Sequence, residues 1–501
     1  MSGNLYSIFA AHRPADPDRT FIERPDGSRI TYGDVERDSA RIANILKEMG
    51  LTPGDRVAIQ VEKSAEALLL YLACLRLGCV YIPFNTAYTI AELRYLIADA
   101  EPKLFVTRPE RVAEAAELGV EHLRTLGTTG NGTLLEGLTQ APSSFTDHFC
   151  TSDDLAAILY TSGTTGRSKG AMLSHGNLSS NAEVLKDFWR FTRNDRLLHA
   201  LPIFHTHGLF VATNIVLMTG ASMLFLPSFD IKEILRLMPR ASVMMGVPTF
   251  YTRLLAQSDF TADVAKSIRL FISGSAPLAA ATHREFAART GHAILERYGM
   301  TETNMNTSNP YDGERVPGSV GLPLPGTSIR IADPASGKEV ATGEVGQIEI
   351  KGPNVFKGYW RSPEKTKAEF RADGYFMSGD LGFRDEKGYV HIVGRNKDLI
   401  ISGGFNVYPA EVESVIDELD GVAQCAVVGA PHPDFGEAVI AVVVPKPGSV
   451  LEESRIAGVV VERLANYKRP KRILIVPELP LNAMGKVQKN ILRERYRDIF
   501  Q

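Results

Sequence analysis

From Tyr32 to Tyr298 the chain alternates helical and strand signals, and this rhythm constrains the fold more than any other feature. Tyr32 to Met49 carries apolar residues at helical spacing. RVAIQV then reads as a strand, AEALLLYLACLRLG as a helix, CVYIPF as a strand, AELRYLIADA as a helix and KLFVT as a strand. Short runs of unbroken apolar residues suit strands buried on both faces. Parallel neighbours need a crossover, which the helices supply, so the pattern predicts mostly parallel sheets covered by helices. Further on, SMLFLP, SVMMGVP, RLFISGSAP and AILERYG run apolar and end in turn residues. Ligands in such folds bind beyond the carboxyl ends of the strands, so the Gly- and Ser-rich ends of three of these are expected at one site.

After Gly318 the pattern changes to short alternating strands, SIRIAD, GQIEIKG and GYVHIVG, separated by Gly and Pro. This predicts an antiparallel, barrel-like β subdomain over about 318–394. A second change follows GRNKDLI, after which CAVVGA and VIAVVVP supply separate apolar runs. With 501 residues the chain exceeds one ordinary domain. The expected organisation is α/β: a large N-terminal domain, 1–394, a hinge at 395–397 and a small α+β C-terminal domain, 398–501.

The stretch YTSGTTGRSKG, Tyr160 to Gly170, is built like a phosphate cradle. Glycines let backbone N–H groups approach phosphate oxygens, hydroxyls donate, and a lysine adds charge. It is not a P-loop, because that motif puts its lysine directly after the last glycine and a hydroxyl next, whereas Lys169 precedes Gly170. The apolar LAAILY before it reads as a buried strand leading into the loop.

Composition excludes some partners. With 55 basic against 58 acidic residues the net charge is −3, and no basic face or tail for nucleic acid is visible. The N-terminus lacks a signal-peptide core and no run of eighteen apolar residues occurs, so no membrane is implied and a cytoplasmic location is expected. Cys74, Cys79, Cys150 and Cys425 lack zinc-site spacing and read as buried free thiols.

YTSGTTGRSKG, ERYGMTET, YFMSGDLG, GYVHIVGRNKDLIISGGFNVYP and LPLNAMGKVQK follow one another over more than 300 residues. In that order they resemble the acyl-adenylate-forming superfamily, which includes acyl- and aryl-CoA ligases, peptide-synthetase adenylation domains and luciferases. The resemblance implies a mobile C-terminal domain and the substrates ATP, with Mg2+, and coenzyme A. A carboxylate oxygen attacks the α-phosphate, pyrophosphate leaves, and a thiol then displaces AMP. Both steps develop charge on phosphate oxygens, which positioned cations and donors stabilise.

By this resemblance Thr161, Ser162, Gly163, Thr164, Thr165, Gly166 and Lys169 wrap the β- and γ-phosphates. Gly274, Ser275 and Ala276 line the adenine and acyl sites, although SGSAP also reads as a helix start capped by Ser275. Tyr298 stacks on adenine beside Gly299 and Met300, Thr301 contacts phosphate, and Glu302, with Thr165, holds magnesium. Asp380 accepts from the ribose hydroxyls, Arg395 contacts ribose and phosphate, and Lys397 is the hinge. Lys486 is the adenylation lysine, and its acetylation would call for a lysine acetyltransferase and deacetylase as regulatory partners. Ser402, Gly403 and Gly404 border the pantetheine tunnel.

PIFHTHGLF carries no acid to hold an α-amine, so amino-acid activation is disfavoured. HTHG, VPTFYTR and TETNMNTSNPYDG resemble the malonate-activating ligases of the family. The expected substrate is malonate, with methylmalonate as a second candidate. Arg253, in an otherwise apolar stretch, is the expected counter-ion for the second carboxylate. His205, also a catalytic candidate, and His207 assist it, while Thr206 and Met305 bound the C2 carbon near Ser275. Arg284 is a weaker anchor. A CoA ligase for another short-chain or aromatic acid, a carrier-protein adenylation enzyme and a non-catalytic nucleotide-binding relative are the competing readings.

Overall fold

The computed structural model describes residues 2–161, 168–482 and 485–500. Two mostly parallel sheets make up the larger part of the chain. In one, His122–Thr125, Leu104–Thr107, Arg56–Gln60, Val80–Pro83 and Leu155–Thr161 run parallel, and Lys169–Ser174 joins the edge antiparallel. The other has nine strands. Its parallel centre is, in spatial order, Thr20–Glu23, Ser222–Phe225, Arg196–His199, Val243–Gly246, Leu270–Ser273 and Leu295–Met300, with antiparallel strands at both edges.

Local signals explain the helices. Thr31 and Asp34 form a reciprocal capping box that starts Tyr32–Glu48. Ser64 caps Ala65–Leu77, and Gly78, at φ 79°, ends it. That helix is apolar all round, and only Glu66 escapes burial.

Register brings the expected strand ends together. Met245 pairs with His199, Gly246 with Ser273, and Ser273 with Glu296, so four parallel strands end level. The segments that follow them, carrying His205, Val247, Gly274 and Arg297, therefore emerge side by side.

Ser328–Ala332, Gly346–Lys351, Phe376–Arg384 and Val390–Arg395 form a four-stranded antiparallel meander. Among the described residues its two edge strands do not pair with each other, so it is an open sheet and not a closed barrel. The one-turn helix Asn396–Asp398 leads to a further sheet with its own core, in which Val412, Val427, Val439 and Ala441 are fully buried or nearly so. All four cysteines are buried and free. Among the described residues no helix is long and apolar enough to cross a membrane.

Candidate active site

Thr161 and Lys169 face each other at the base of a hairpin, where Leu155–Thr161 and Lys169–Ser174 pair antiparallel. A strand, and not the helix of a P-loop, therefore follows the glycine-rich stretch of the sequence. Ser162, Gly163, Thr164, Thr165 and Gly166 lie outside the described residues. Lys169 Nζ stands 3.8 Å from Glu369 Oε1.

Alternation along Leu295–Met300 sends successive side chains to opposite faces, both of them buried. Tyr298 donates its hydroxyl to Asp380 Oδ2 at 2.5 Å, and Arg395 Nε donates to Asp380 Oδ1 at 3.1 Å. Asp380 and Arg395 are register partners on adjacent strands, and the charge of Asp380 raises the pKa of Arg395. Glu302 is buried with Oε1 3.1 Å from the Tyr359 hydroxyl, and burial raises its pKa. Among the described residues no cluster of three or more acidic, His or Cys side chains could hold a metal. A single carboxylate suits magnesium, which is commonly held by one or two carboxylates plus phosphate oxygens and water, so Glu302 fits that role. Gly299, Met300 and Thr301 are half-buried around the strand end.

Arg297 is the residue that sequence reasoning missed. It is 3 % exposed, and its Nε and Nη2 have no partner. A Cβ at Gly274 would come within 2.3 Å of its Cζ, so the guanidinium lies flat on that glycine. Burial lowers its pKa to about 9, which leaves it charged at neutral pH. Glu296, on the opposite face, is pushed by burial up to about 8, and its charge acts on Arg297 without an ion pair joining the two. The signal was available in ERYGMTET, where a cation sits inside an otherwise buried strand.

Further buried polar atoms in this region are also unsatisfied. Thr206 Oγ1, His207 Nε2 and Ser273 Oγ are buried without partners, and Ser275 Oγ lies 3.2 Å from His207 Nδ1. Ser275 has φ 73°, a strained conformation for a residue with a side chain. It caps no helix, because Ala280–Thr290 starts later with Ala279 at its N-cap, which corrects the capping alternative. Ala276 is half-buried in the same turn. His205 is held neutral, its pKa pushed down to about 3 by burial and then by Lys486 and Arg297. His207 is likewise driven well below its usual value, first by burial. Met305 is buried with its methyl group against Gly299.

Two expected anchors are not brought into this pocket. On Pro248–Leu255 the buried face is Phe250, Tyr251, Leu254 and Leu255, and Arg253 points outward over Phe229, 5.5 Å from its ring. It is an exposed side chain and not a buried counter-ion. Arg284 is exposed and pairs with Glu418 of the C-terminal part at 3.3 Å.

The C-terminal part reaches into the site. Gly485, at φ 70°, packs against Thr249, and Lys486 follows, its amide donating to Asn482 Oδ1 at 3.0 Å. Burial lowers the Lys486 pKa to about 8, with the charges of Arg395, Asp380, Arg297 and Glu302 acting on it in turn. Lys397 is exposed in the linking turn. Ser402 and Phe405 pair across Gly403 and Gly404, at φ 59° and 81°, a tight hairpin tip on the surface.

The chain, a large domain and a small one, brings the carboxylates Glu302 and Asp380 and the cations Arg297, Arg395 and Lys486 to one cleft, the chemistry of an adenylate-forming enzyme. It belongs to the AMP-binding enzyme family, whose model matches residues 9–360, with the AMP-binding enzyme C-terminal domain at 411–486. A feruloyl-CoA synthase from Amycolatopsis sp is 36% identical, over 94% of this chain and 95% of its own. A malonate–CoA ligase from Arabidopsis thaliana is 35% identical, over 99% and 89%. ATP-bound MatB from Rhodopseudomonas palustris is 57% identical over 100% of both chains, with a TM-score of 0.98. Apo MatB from the same organism gives a TM-score of 0.87 at the same identity and coverage.

Proposed function

We propose that the chain is an AMP-forming CoA ligase that converts malonate, ATP and coenzyme A to malonyl-CoA, AMP and pyrophosphate through malonyl-adenylate. The observation that carries the acid is Arg297, a buried guanidinium with no ion pair among the described residues and with Nε and Nη2 unpartnered, alongside the unpartnered Thr206 Oγ1, His207 Nε2 and Ser273 Oγ. A buried unpaired charge is costly, so the pocket is completed by an anion. Malonate has two carboxylates, and two cations, Lys486 and Arg297, both act on the buried His205. One carboxylate attacks the α-phosphate beside Lys486, and the other is held at Arg297 by a bidentate pair.

In this reading Lys169 and the loop before it hold the departing pyrophosphate, and Glu302 holds magnesium, which offsets phosphate charge. Asp380 turns from Tyr298 and Arg395 to the ribose hydroxyls. His205, held neutral, serves as a pocket wall and hydrogen-bond acceptor and not as an acid. Thr206 and Met305 limit the space at C2, where methylmalonate adds one methyl group. Rotation about Lys397 then brings the hairpin of Ser402, Gly403 and Gly404 to the thiol path. Acetylation of Lys486 would remove the charge that adenylation needs, making an acetyltransferase and a deacetylase fitting regulators.

The test is release of AMP and pyrophosphate with a panel of acids. Malonate should exceed propionate, benzoate and ferulate. An uncharged acid that outruns malonate would overturn the substrate, and no turnover with any acid would overturn the ligase reading.

A further inference from the structure

One tyrosine links the two groups assigned to the triphosphate. The segment around Gly358 runs beside Lys169–Ser174: Met172 N donates to Gly358 O at 2.9 Å and Trp360 N to Gly170 O at 2.7 Å. This fixes Tyr359, which is 5 % exposed, alongside Lys169, whose ammonium lies 5.2 Å from the centre of its ring. The Tyr359 hydroxyl stands 2.6 Å from Glu369 Oε2 and 3.1 Å from Glu302 Oε1. Its single proton goes to the nearer acid, which leaves the Glu302 oxygen open to a cation. Glu369 ends the short helix Pro363–Ala368, and its Oε1 takes Lys365 Nζ at 2.9 Å and Lys169 Nζ at 3.8 Å. Thr366 Oγ1 accepts from Tyr359 N at 2.9 Å and ties that helix to the tyrosine.

The result is one continuous chain, Lys169, Glu369, Tyr359, Glu302. With Lys365 beside Glu369, two ammonium groups match the two carboxylates before nucleotide arrives. Triphosphate would draw Lys169 off Glu369, and magnesium would take Glu302. Tyr359 and Glu369 touch neither reacting atom, yet they fix the distance between the groups that do.

We infer that Tyr359 and Glu369 are positioning residues that hold the phosphate lysine and the magnesium carboxylate in one frame, and that they serve adenylate formation alone. The inference rests on the ligase reading above. After pyrophosphate has left, Lys169 has no phosphate to hold, so thioester formation should not depend on this chain.

The experiment compares Tyr359→Phe, Glu369→Gln and the double variant with the wild type in the two half-reactions. Each single change should raise the KM for MgATP or lower malonate-dependent pyrophosphate release by about tenfold, as expected for a hydrogen bond to a charged group. Conversion of supplied malonyl-adenylate and CoA should stay within about twofold. The double variant should be little worse than the weaker single one, because both cut the same chain. Equal loss in both half-reactions, or no loss in either, overturns the inference. Wild type that releases no pyrophosphate with any acid overturns the ligase reading itself, and this inference with it.

Discussion

Arg284 on the large domain meets Glu418 on the small one at 3.3 Å, and the other oxygen of Glu418 takes Arg463 at 2.6 Å. This ion pair crosses the domain boundary in the same arrangement that seats Lys486 in the site. The proposed rotation about Lys397 would break it, so it would be available in one domain orientation. Arg284 is more than half exposed, and exposed pairs contribute roughly 0.2–1 kcal/mol. Arg284→Ala should move the balance between pyrophosphate release and thioester formation by only about 1.5- to 5-fold, and high salt should produce the same change in the wild type. Salt-insensitive partition, measured as the ratio of the two half-reaction rates, would remove Arg284 from any latch.

Lys486 gives a pH signature. Its pKa is lowered to about 8, chiefly by burial, and the cation is the form that adenylation needs. Malonate-dependent pyrophosphate release should thus fall as pH rises through about 8, while conversion of supplied malonyl-adenylate should not follow that curve. Lys486→Ala should abolish the first and spare the second. Stability runs the other way. Between about 8 and the unfolded value near ~10.4 the unfolded chain binds the extra proton, so this group makes the fold more stable with rising pH across that window. A pyrophosphate profile that is flat from pH 7 to 9.5 would contradict the assignment.

Arg297 should set the choice of acid. Removing one partner of a buried ion pair costs about 3–5 kcal/mol, or roughly two to four powers of ten in malonate kcat/KM. Arg297→Met should incur that loss on malonate and keep or improve propionate, which has no second charge. Parallel losses on both acids would make Arg297 structural.

Lys397 tests the hinge. It sits in the turn Asn396–Asp398, and proline there fixes φ near about −65°. Lys397→Pro should keep adenylate formation and lose CoA transfer, since the fold can hold one orientation but not exchange it. Unimpaired overall turnover would move the hinge elsewhere.

The fold was legible because its strands are short and unmixed. RVAIQV and KLFVT became Arg56–Gln60 and Leu104–Thr107 with little shift. The acid anchor was not legible, for a geometric reason. Arg253 stood out as a lone cation among apolar residues, but a helix turns a residue away from its core face every few positions, and Arg253 falls outside. On Leu295–Met300 both strand faces are buried, so Glu296, Arg297 and Tyr298 carry no alternation of hydropathy to mark which one lines the pocket. The Tyr359–Glu302 link joins residues 57 apart in sequence, and Arg284–Glu418 depends on how two domains are turned. No local pattern encodes either.

The flat seating of Arg297 on Gly274 bears on how such a pocket can change over time. A methyl group at 274 would fall within 2.3 Å of the guanidinium carbon, so while the arginine remains any side chain there pushes it off its seat. Once 297 becomes uncharged and smaller, position 274 opens to residues that could close the pocket around a different acid. Mutations toward a new substrate therefore have an order, with 297 first and 274 second, and the reverse path passes through a variant that has lost its old acid without gaining another. Libraries that vary the two positions one at a time would miss that route, whereas paired libraries would sample it directly.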